Sequence, residues 1–135
     1  MLKSLTLLVA ITLSSLSFAS GLENIKLSKL ENTLWRVGSM TTGYFWEYRF
    51  GKLNEKGILY AEAYHALHGE TRGIFLKVDL KESSLGYSYI AMMDMYDGEY
   101  DESFYLDKKT GYLCNDPISK NVCMKRIDRI TEFKF

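Results

Sequence analysis

Apolar and polar residues alternate with a period of two along most of the chain after Thr33. The segment GIFLKVDL is the clearest example, because Ile74, Leu76, Val78 and Leu80 occupy every second position. Successive side chains of a strand point to opposite faces, so this pattern predicts strands with one buried and one outward face. The same alternation recurs in TGYFWEYRF, ILYAEAYHAL and LGYSYIAMM, which predicts an all-β fold.

Short turn signals separate the predicted strands, such as Asp97-Gly98 and the segment DKKTG at 107–111. Short connections favour strands that pair in chain order, and therefore a barrel over a Greek-key sandwich. We predict a single antiparallel up-and-down β-barrel of about eight short strands. Residues 21–31, whose apolar spacing fits either a strand or a helical face, are predicted to form a short helical segment before it.

The first 19 residues have the features of a secretory signal peptide. Lys3 precedes a short apolar run from Leu5 to Leu13, and small residues lead up to Ala19. The run is too short and too rich in serine for a membrane-spanning helix. We therefore predict a signal peptide at 1–19, an exported β-barrel domain at 20–135, and a periplasmic or secreted location.

Cys114 and Cys123 are the only cysteines of the sequence. An even cysteine count in an exported chain predicts a disulfide bond. The turn signal Asn-Asp-Pro117 between them would allow the bond to join two strands of a hairpin. The spacing is not Cys-x-x-Cys, so we predict a structural disulfide rather than a redox-active pair.

Basic and acidic residues are balanced at 17 each, and removal of Lys3 with the leader leaves a slight acidic excess. This balance gives no support for nucleic acid or an anionic membrane as a partner. The sequence contains neither a Gly-x-Ser-x-Gly nucleophile elbow nor a phosphate-binding glycine loop. We therefore predict a non-enzymatic protein without a cofactor.

Two groups of residues could suggest a metal site. His65 and His68 would point to opposite faces of a strand and so could not bind one ion. The acidic run from Asp94 to Asp107 lacks the alternating ligands of an EF-hand loop. We predict no metal site and interpret the acidic turn as a surface that attracts a basic protein partner. Its candidate protein-binding residues are Asp97, Glu99, Asp101 and Glu102.

Aromatic residues are frequent on the predicted strands, and the chain has ten tyrosines and two tryptophans. Such residues either line a pocket for an apolar or aromatic ligand or pack against one another across strands, and both interpretations remain open. The candidate ligand-binding residues are Tyr44, Trp46, Tyr48, Tyr60, Tyr64, Tyr87 and Tyr89.

The segment TLW at 33–35 resembles the Gly-x-Trp start of the lipocalin-like barrels, or calycins, with Thr33 in place of the glycine. The resemblance implies that Trp35 closes one end of the barrel. It also implies that a basic side chain of the last strand, Arg126 or Arg129, lies across Trp35 in a structural cation–π contact.

Three functional hypotheses follow. The first is an exported, lipocalin-like, non-enzymatic barrel that binds a small apolar or aromatic molecule. The alternative is a protein-binding module, for example an inhibitor of a secreted or periplasmic hydrolase. The second alternative is a small outer-membrane β-barrel, for which the closing segment ITEFKF is typical. The expected partners are a small apolar or aromatic molecule or a secreted protein, without membrane insertion.

Overall fold

The computed structural model describes residues 21–39, 44–67 and 70–127. The predicted leader at 1–19, the closing segment at 130–135, His68 and Arg129 lie outside these residues. One helical turn and nine strands make up the described chain. In chain order they are β1 (Leu22–Glu23), α1 (Leu27–Leu30), β2 (Leu34–Ser39), β3 (Tyr44–Phe50), β4 (Leu59–Leu67), β5 (Glu70–Glu82), β6 (Ser88–Asp94), β7 (Tyr100–Asp107), β8 (Leu113–Cys114) and β9 (Cys123–Ile127).

Strands β2 to β9 form a closed antiparallel barrel in which each strand pairs with the next one along the chain. The barrel closes where β9 pairs with β2, so that Trp35 lies opposite Arg126 in register. Strand β1 lies outside the barrel and pairs with the end of β7. The predicted all-β up-and-down barrel of about eight strands, with a short helical segment before it, is confirmed.

The inward faces of the strands fill the barrel with apolar side chains. Its most deeply buried members are Leu59, Ile90, Met92, Phe104, Leu113 and Met124. On β5 the predicted alternation holds for Leu76 and Val78, which are buried, and for Phe75, which points outward and is 51% exposed. Leu80 departs from the pattern, because it lies near the β5–β6 turn and is 45% exposed.

The segment before β2 fills one end of the barrel, which we call the plugged end. Ile25 and Leu30 are buried there beside Trp35, which is only 5% exposed. The Trp35 indole N–H donates to Thr33 Oγ1 at 2.9 Å, and the Thr33 hydroxyl donates to the Leu30 carbonyl at 2.6 Å. These bonds satisfy the buried polar groups that α1 and the indole bring into the core.

Strand β8 has only two residues, yet it closes the barrel between β7 and β9. Cys114 and Cys123 face each other in the β8–β9 register and form a disulfide bond, which confirms the predicted pairing. The covalent bond therefore reinforces the part of the barrel wall with the fewest strand-to-strand hydrogen bonds.

A charged cluster lies on the outward face of β2 and β3. Glu47 is fully buried, although it points away from the core. It accepts hydrogen bonds from Arg36 Nη2 at 2.9 Å and from Arg49 Nε at 2.6 Å. The Arg36 guanidinium covers the Phe45 ring at 5.2 Å, and that of Arg49 covers Tyr64. The long arginine side chains thus shield Glu47 from solvent.

Candidate functional site

The pocket that contains Trp46 lies inside the barrel wall, on the same inward face as the core. We call it the Trp46 pocket. It has a volume of about 110 Å³ and is lined by Val37, Trp46, Tyr48, Glu102, Phe104, Val122 and Met124. Val122 comes from the β8–β9 loop and is 38% exposed, so this rim is reached from solvent.

One polar pair interrupts the apolar lining of the Trp46 pocket. The Tyr48 hydroxyl donates to Glu102 Oε2 at 3.2 Å. Burial raises the pKa of Tyr48, and the Glu102 charge raises it further, so the phenol stays protonated and keeps its donor role. Burial also raises the pKa of Glu102; Asp101 adds to this rise, while the Tyr48 bond opposes it.

Trp46 is held in place by its neighbour on β4. Its ring stacks on the His65 imidazole with 4.2 Å between ring centroids and an interplanar angle of 15°. The two residues are direct partners in the β3–β4 register, which explains the contact. His65 therefore fixes the plane of the indole that lines the pocket.

Tyr60, Tyr64, Tyr87 and Tyr89, four of the other predicted ligand-binding aromatics, do not line this pocket. Tyr60 and Tyr64 point outward from β4, where Tyr60 stacks on Phe75 at 5.2 Å and the Arg49 guanidinium covers Tyr64 at 4.4 Å. Tyr89 stacks on Tyr105 at 4.9 Å. Tyr87 precedes β6, and its backbone carbonyl accepts a bond from Ser83. Tyr44 begins β3, and its side chain lies outside the described part of the chain.

A larger groove, the Trp35 groove, runs beneath the plugged end and has a volume of about 380 Å³. Its apolar floor consists of Ile25, Leu30, Trp35, Leu106 and Leu113, of which all but Leu106 are at most 5% exposed. The sequence assigned Trp35 a structural role and did not identify a cavity beside it. The groove could not be predicted from the sequence, because it forms only where residues 23–30 pack against the end of the barrel.

Basic side chains border the Trp35 groove. Lys26 and Lys29 lie on either side of the start of α1, and Arg126 lies on β9 opposite Trp35. Neither lysine has an ion-pair partner within residues 21–39, 44–67 and 70–127, and both are exposed. One acidic residue, Glu23, also lines the groove. The groove therefore combines an apolar floor with a basic rim.

The predicted acidic turn is the ordered hairpin between β6 and β7. Asp94 and Asp97 accept backbone bonds from Tyr96 and Glu99, each at 2.8 Å. Carboxylate oxygens of Asp94, Asp97 and Asp101 lie within 4.8 Å of one another. The loss of hydration raises the pKa of Asp101, and the charges of Asp94 and Asp97 raise it further. The hairpin is thus a compact concentration of negative charge.

Comparison of the chain with protein-family models, with curated proteins and with solved structures gives no match. No helix in the described part of the chain is long and apolar enough to cross a membrane. Function is therefore inferred from the cavities, charges and exposed side chains of the barrel itself.

Proposed function

We propose that this chain is an exported, non-enzymatic binding protein of the lipocalin-like type, and that it holds a small apolar or aromatic molecule in the Trp35 groove. The observation that carries the proposal is the groove itself, with its volume of about 380 Å³ and apolar floor. Pockets that bind small organic ligands have volumes of roughly 300–1,000 Å³ and are mostly apolar, with a few convergent polar groups.

The basic rim indicates the polar end of such a ligand. Lys26, Lys29 and Arg126 surround an apolar floor that includes Trp35. A ligand with a flat apolar body and one carboxylate or sulfonate would place its body on the floor and its charge among these cations. The preferred ligand class is therefore a small aromatic or aliphatic acid.

An aqueous, oxidising compartment forms part of the proposal. The Cys114–Cys123 disulfide supports a periplasmic or secreted location. The outward face of β5 carries Lys77 and Asp79, which approach each other at 3.5 Å. Charges on the outer face of a barrel oppose insertion into lipid, so this pair favours a water-exposed wall over the membrane-barrel alternative.

Titration calorimetry with 1-naphthoate at neutral pH tests the proposal. A Trp46→Phe variant leaves Trp35 as the single tryptophan, so ligand quenching of its fluorescence locates the bound ring. We expect saturable binding, weakened about tenfold in the Lys26→Gln/Lys29→Gln double variant. A Lys52→Gln/Lys56→Gln variant, with the same charge change outside the groove, should bind normally. Absence of binding by a panel of aromatic and aliphatic acids and alcohols at millimolar concentration would refute it.

A second candidate function is binding of a basic protein through the β6–β7 hairpin. The specific observation is Tyr96, whose side chain is 99% exposed at the tip of the acidic turn. Exposed tyrosines on rigid loops are frequent anchors of protein interfaces, and surrounding charge accelerates encounter with an oppositely charged partner. Inhibition of a secreted hydrolase by such a hairpin would fit this arrangement.

A basic secreted lysozyme is a suitable probe for this second function. The test measures cell-wall hydrolysis with increasing amounts of the wild-type chain and of the variants Tyr96→Ala and Asp97→Asn/Asp101→Asn. Inhibition that both variants lose, and that the distant Glu55→Gln variant retains, would support the hairpin as the inhibitory element. Inhibition that persists in both variants would exclude the hairpin, and no inhibition would exclude this enzyme class as the target.

A further inference from the structure

We propose that the Trp46 pocket is a second, separate binding site that takes the ammonium group of a small alkylated amine. The site is distinct from the Trp35 groove, because the two cavities share no lining residue. It has the two elements that recognise an organic cation in water, namely aromatic faces and a carboxylate.

The aromatic element consists of three rings around one small space. Trp46, Tyr48 and Phe104 all line the pocket. His65 covers one face of Trp46, and the edge of one ring meets the face of the other in the Tyr48–Phe104 pair, at 5.5 Å and 68°. These contacts hold the rings in fixed orientations, and aromatic cages of this kind bind quaternary and methylated ammonium groups.

The carboxylate element is Glu102, which lines the pocket beside the rings. Its polar contact in the described part of the chain is the Tyr48 hydroxyl, a neutral donor, and no Lys or Arg there forms an ion pair with it. The neighbouring Asp101 has the same sign of charge. Glu102 is exposed at the rim of the pocket, where its negative charge would attract a cationic group that contacts the rings, so the pocket favours a positively charged guest.

The size of the pocket limits the guest. A volume of about 110 Å³ corresponds to the liquid volume of about four water molecules, and it is below the roughly 150 Å³ cavity that holds benzene. The space therefore admits a head of about five heavy atoms, such as trimethylammonium, and not a ring system. A longer substituent on the amine would extend into solvent past Val122 at the rim of the pocket.

Titration of the full chain with choline, followed through the indole N–H signals of Trp35 and Trp46 in NMR spectra, tests the proposal. The matched neutral probe is 3,3-dimethylbutan-1-ol, in which carbon replaces the charged nitrogen. We expect choline to shift the Trp46 signal and to bind at least about tenfold more tightly than the alcohol. The Trp35 signal should stay in place.

Two variants and one control complete the test. Glu102→Gln and Trp46→Leu should each weaken choline binding by about tenfold. Glu99→Gln removes an equal charge from the same hairpin outside the pocket and should bind normally. Equal affinity for choline and the alcohol, or equal loss in Glu99→Gln and Glu102→Gln, would overturn the proposal. Absence of any Trp46 shift would also overturn it, whereas the 1-naphthoate result at the Trp35 groove would be unaffected.

Discussion

The barrel has two tryptophans on neighbouring strands, Trp35 on β2 and Trp46 on β3, and the two differ in their surroundings. Trp35 is 5% exposed, and its N–H is satisfied by Thr33 beneath the plug formed by Ile25 and Leu30. Trp46 is half-buried, stacks on His65 and lines a pocket. The Trp35 indole is part of the core and presents only a small fraction of its surface to the Trp35 groove, whereas the Trp46 indole is more exposed in its own pocket. Residue type and position within a strand are thus insufficient to distinguish a core residue from a site residue.

Charge also differs between the two regions. The Trp35 groove is bordered by Lys26, Lys29 and Arg126, whereas the Trp46 pocket carries Glu102. The two cavities therefore favour ligands of opposite sign, although the whole chain has a net charge near zero. The net charge of the sequence therefore did not reveal that the fold creates one basic and one acidic cavity.

The largest expected effect concerns the two tryptophans. Trp35→Ala should lower the free energy of unfolding by about 3–5 kcal/mol, because it leaves a cavity in the core and removes the indole N–H that Thr33 Oγ1 accepts. Trp46→Ala should cost about 1–2 kcal/mol, since its ring is half-buried and its loss opens an existing pocket. Urea denaturation followed by circular dichroism measures both. Equal losses would contradict the distinction between a fully buried and a half-buried indole.

Removal of the disulfide should have the next largest effect on stability. Cys114→Ser/Cys123→Ser should lower the free energy of unfolding by about 2–3 kcal/mol, because the bond closes a loop with a sequence separation of 9. The loop also brings Val122 to the Trp46 pocket. Choline binding should therefore weaken in the double variant, while 1-naphthoate binding at the Trp35 groove should persist. Loss of both activities in a folded variant would indicate that the two sites are coupled.

Asp107 lies where β7 meets β1, and its carboxylate is buried. It accepts bonds from Thr110 and pairs with Lys120 Nζ at 2.9 Å, and these contacts lower the pKa of Asp107, the Thr110 bond most of all. Asp107→Asn should cost about 1–3 kcal/mol at neutral pH. Because the folded pKa is below the ordinary 3.8, this contribution is present above pH 3.8 and is lost as the pH falls through the folded value.

Denaturant titrations of both proteins between pH 2 and 7 check this dependence. The difference between the wild-type chain and Asp107→Asn should be constant near neutrality and should shrink in acid. Lys120→Met, which removes the ion pair and leaves Thr110 in place, is expected to show part of the same loss. A difference that grows in acid would show that the carboxylate is not stabilised by these contacts.

The sequence predicted the fold well because alternation is a local signal. The faces of β4 and β5 and the meander followed from spacing and turn residues, and the Cys114–Cys123 pair followed from the even number of cysteines. Leu80 was assigned to the buried face and is exposed, because alternation does not show where the core ends along a strand. Alternation therefore predicts which side chains share a face of a strand, but it does not predict how far along the strand that face is buried.

The sites were less predictable because they depend on contacts between distant segments. The sequence grouped Tyr60 and Tyr64 with Trp46 and Tyr48, yet alternation on β4 sends the first two outward. Glu102 was grouped with the protein-binding turn, and it meets Tyr48, which lies 54 residues away in sequence. Sequence spacing does not report the register between β3 and β7, which are not neighbours in the barrel.

The smallest expected effect is the contribution of Glu102 to the pH dependence of stability. Its sign is opposite to that of the Asp107 contribution. The folded pKa of Glu102 is above the ordinary 4.5, chiefly because of burial, with Asp101 adding to the rise and the Tyr48 bond opposing it. The native state therefore binds a proton at a pH where the unfolded chain has lost it, and stability falls as the pH rises through this window. The side chain is partly exposed and screened, so the change should be well under about 1 kcal/mol.

Glu102→Gln isolates this contribution, because glutamine keeps the shape and a hydrogen-bond partner for Tyr48 but does not titrate. Relative to this variant, the wild-type chain should gain stability as the pH is lowered from 7 toward 4, the reverse of the Asp107 comparison. Saturating choline should abolish that gain, because a bound cation favours the ionised carboxylate and lowers its pKa. A wild-type chain that instead loses stability in acid relative to Glu102→Gln would mean that Glu102 already has a cationic partner, and the pocket would then have no charge to offer a guest.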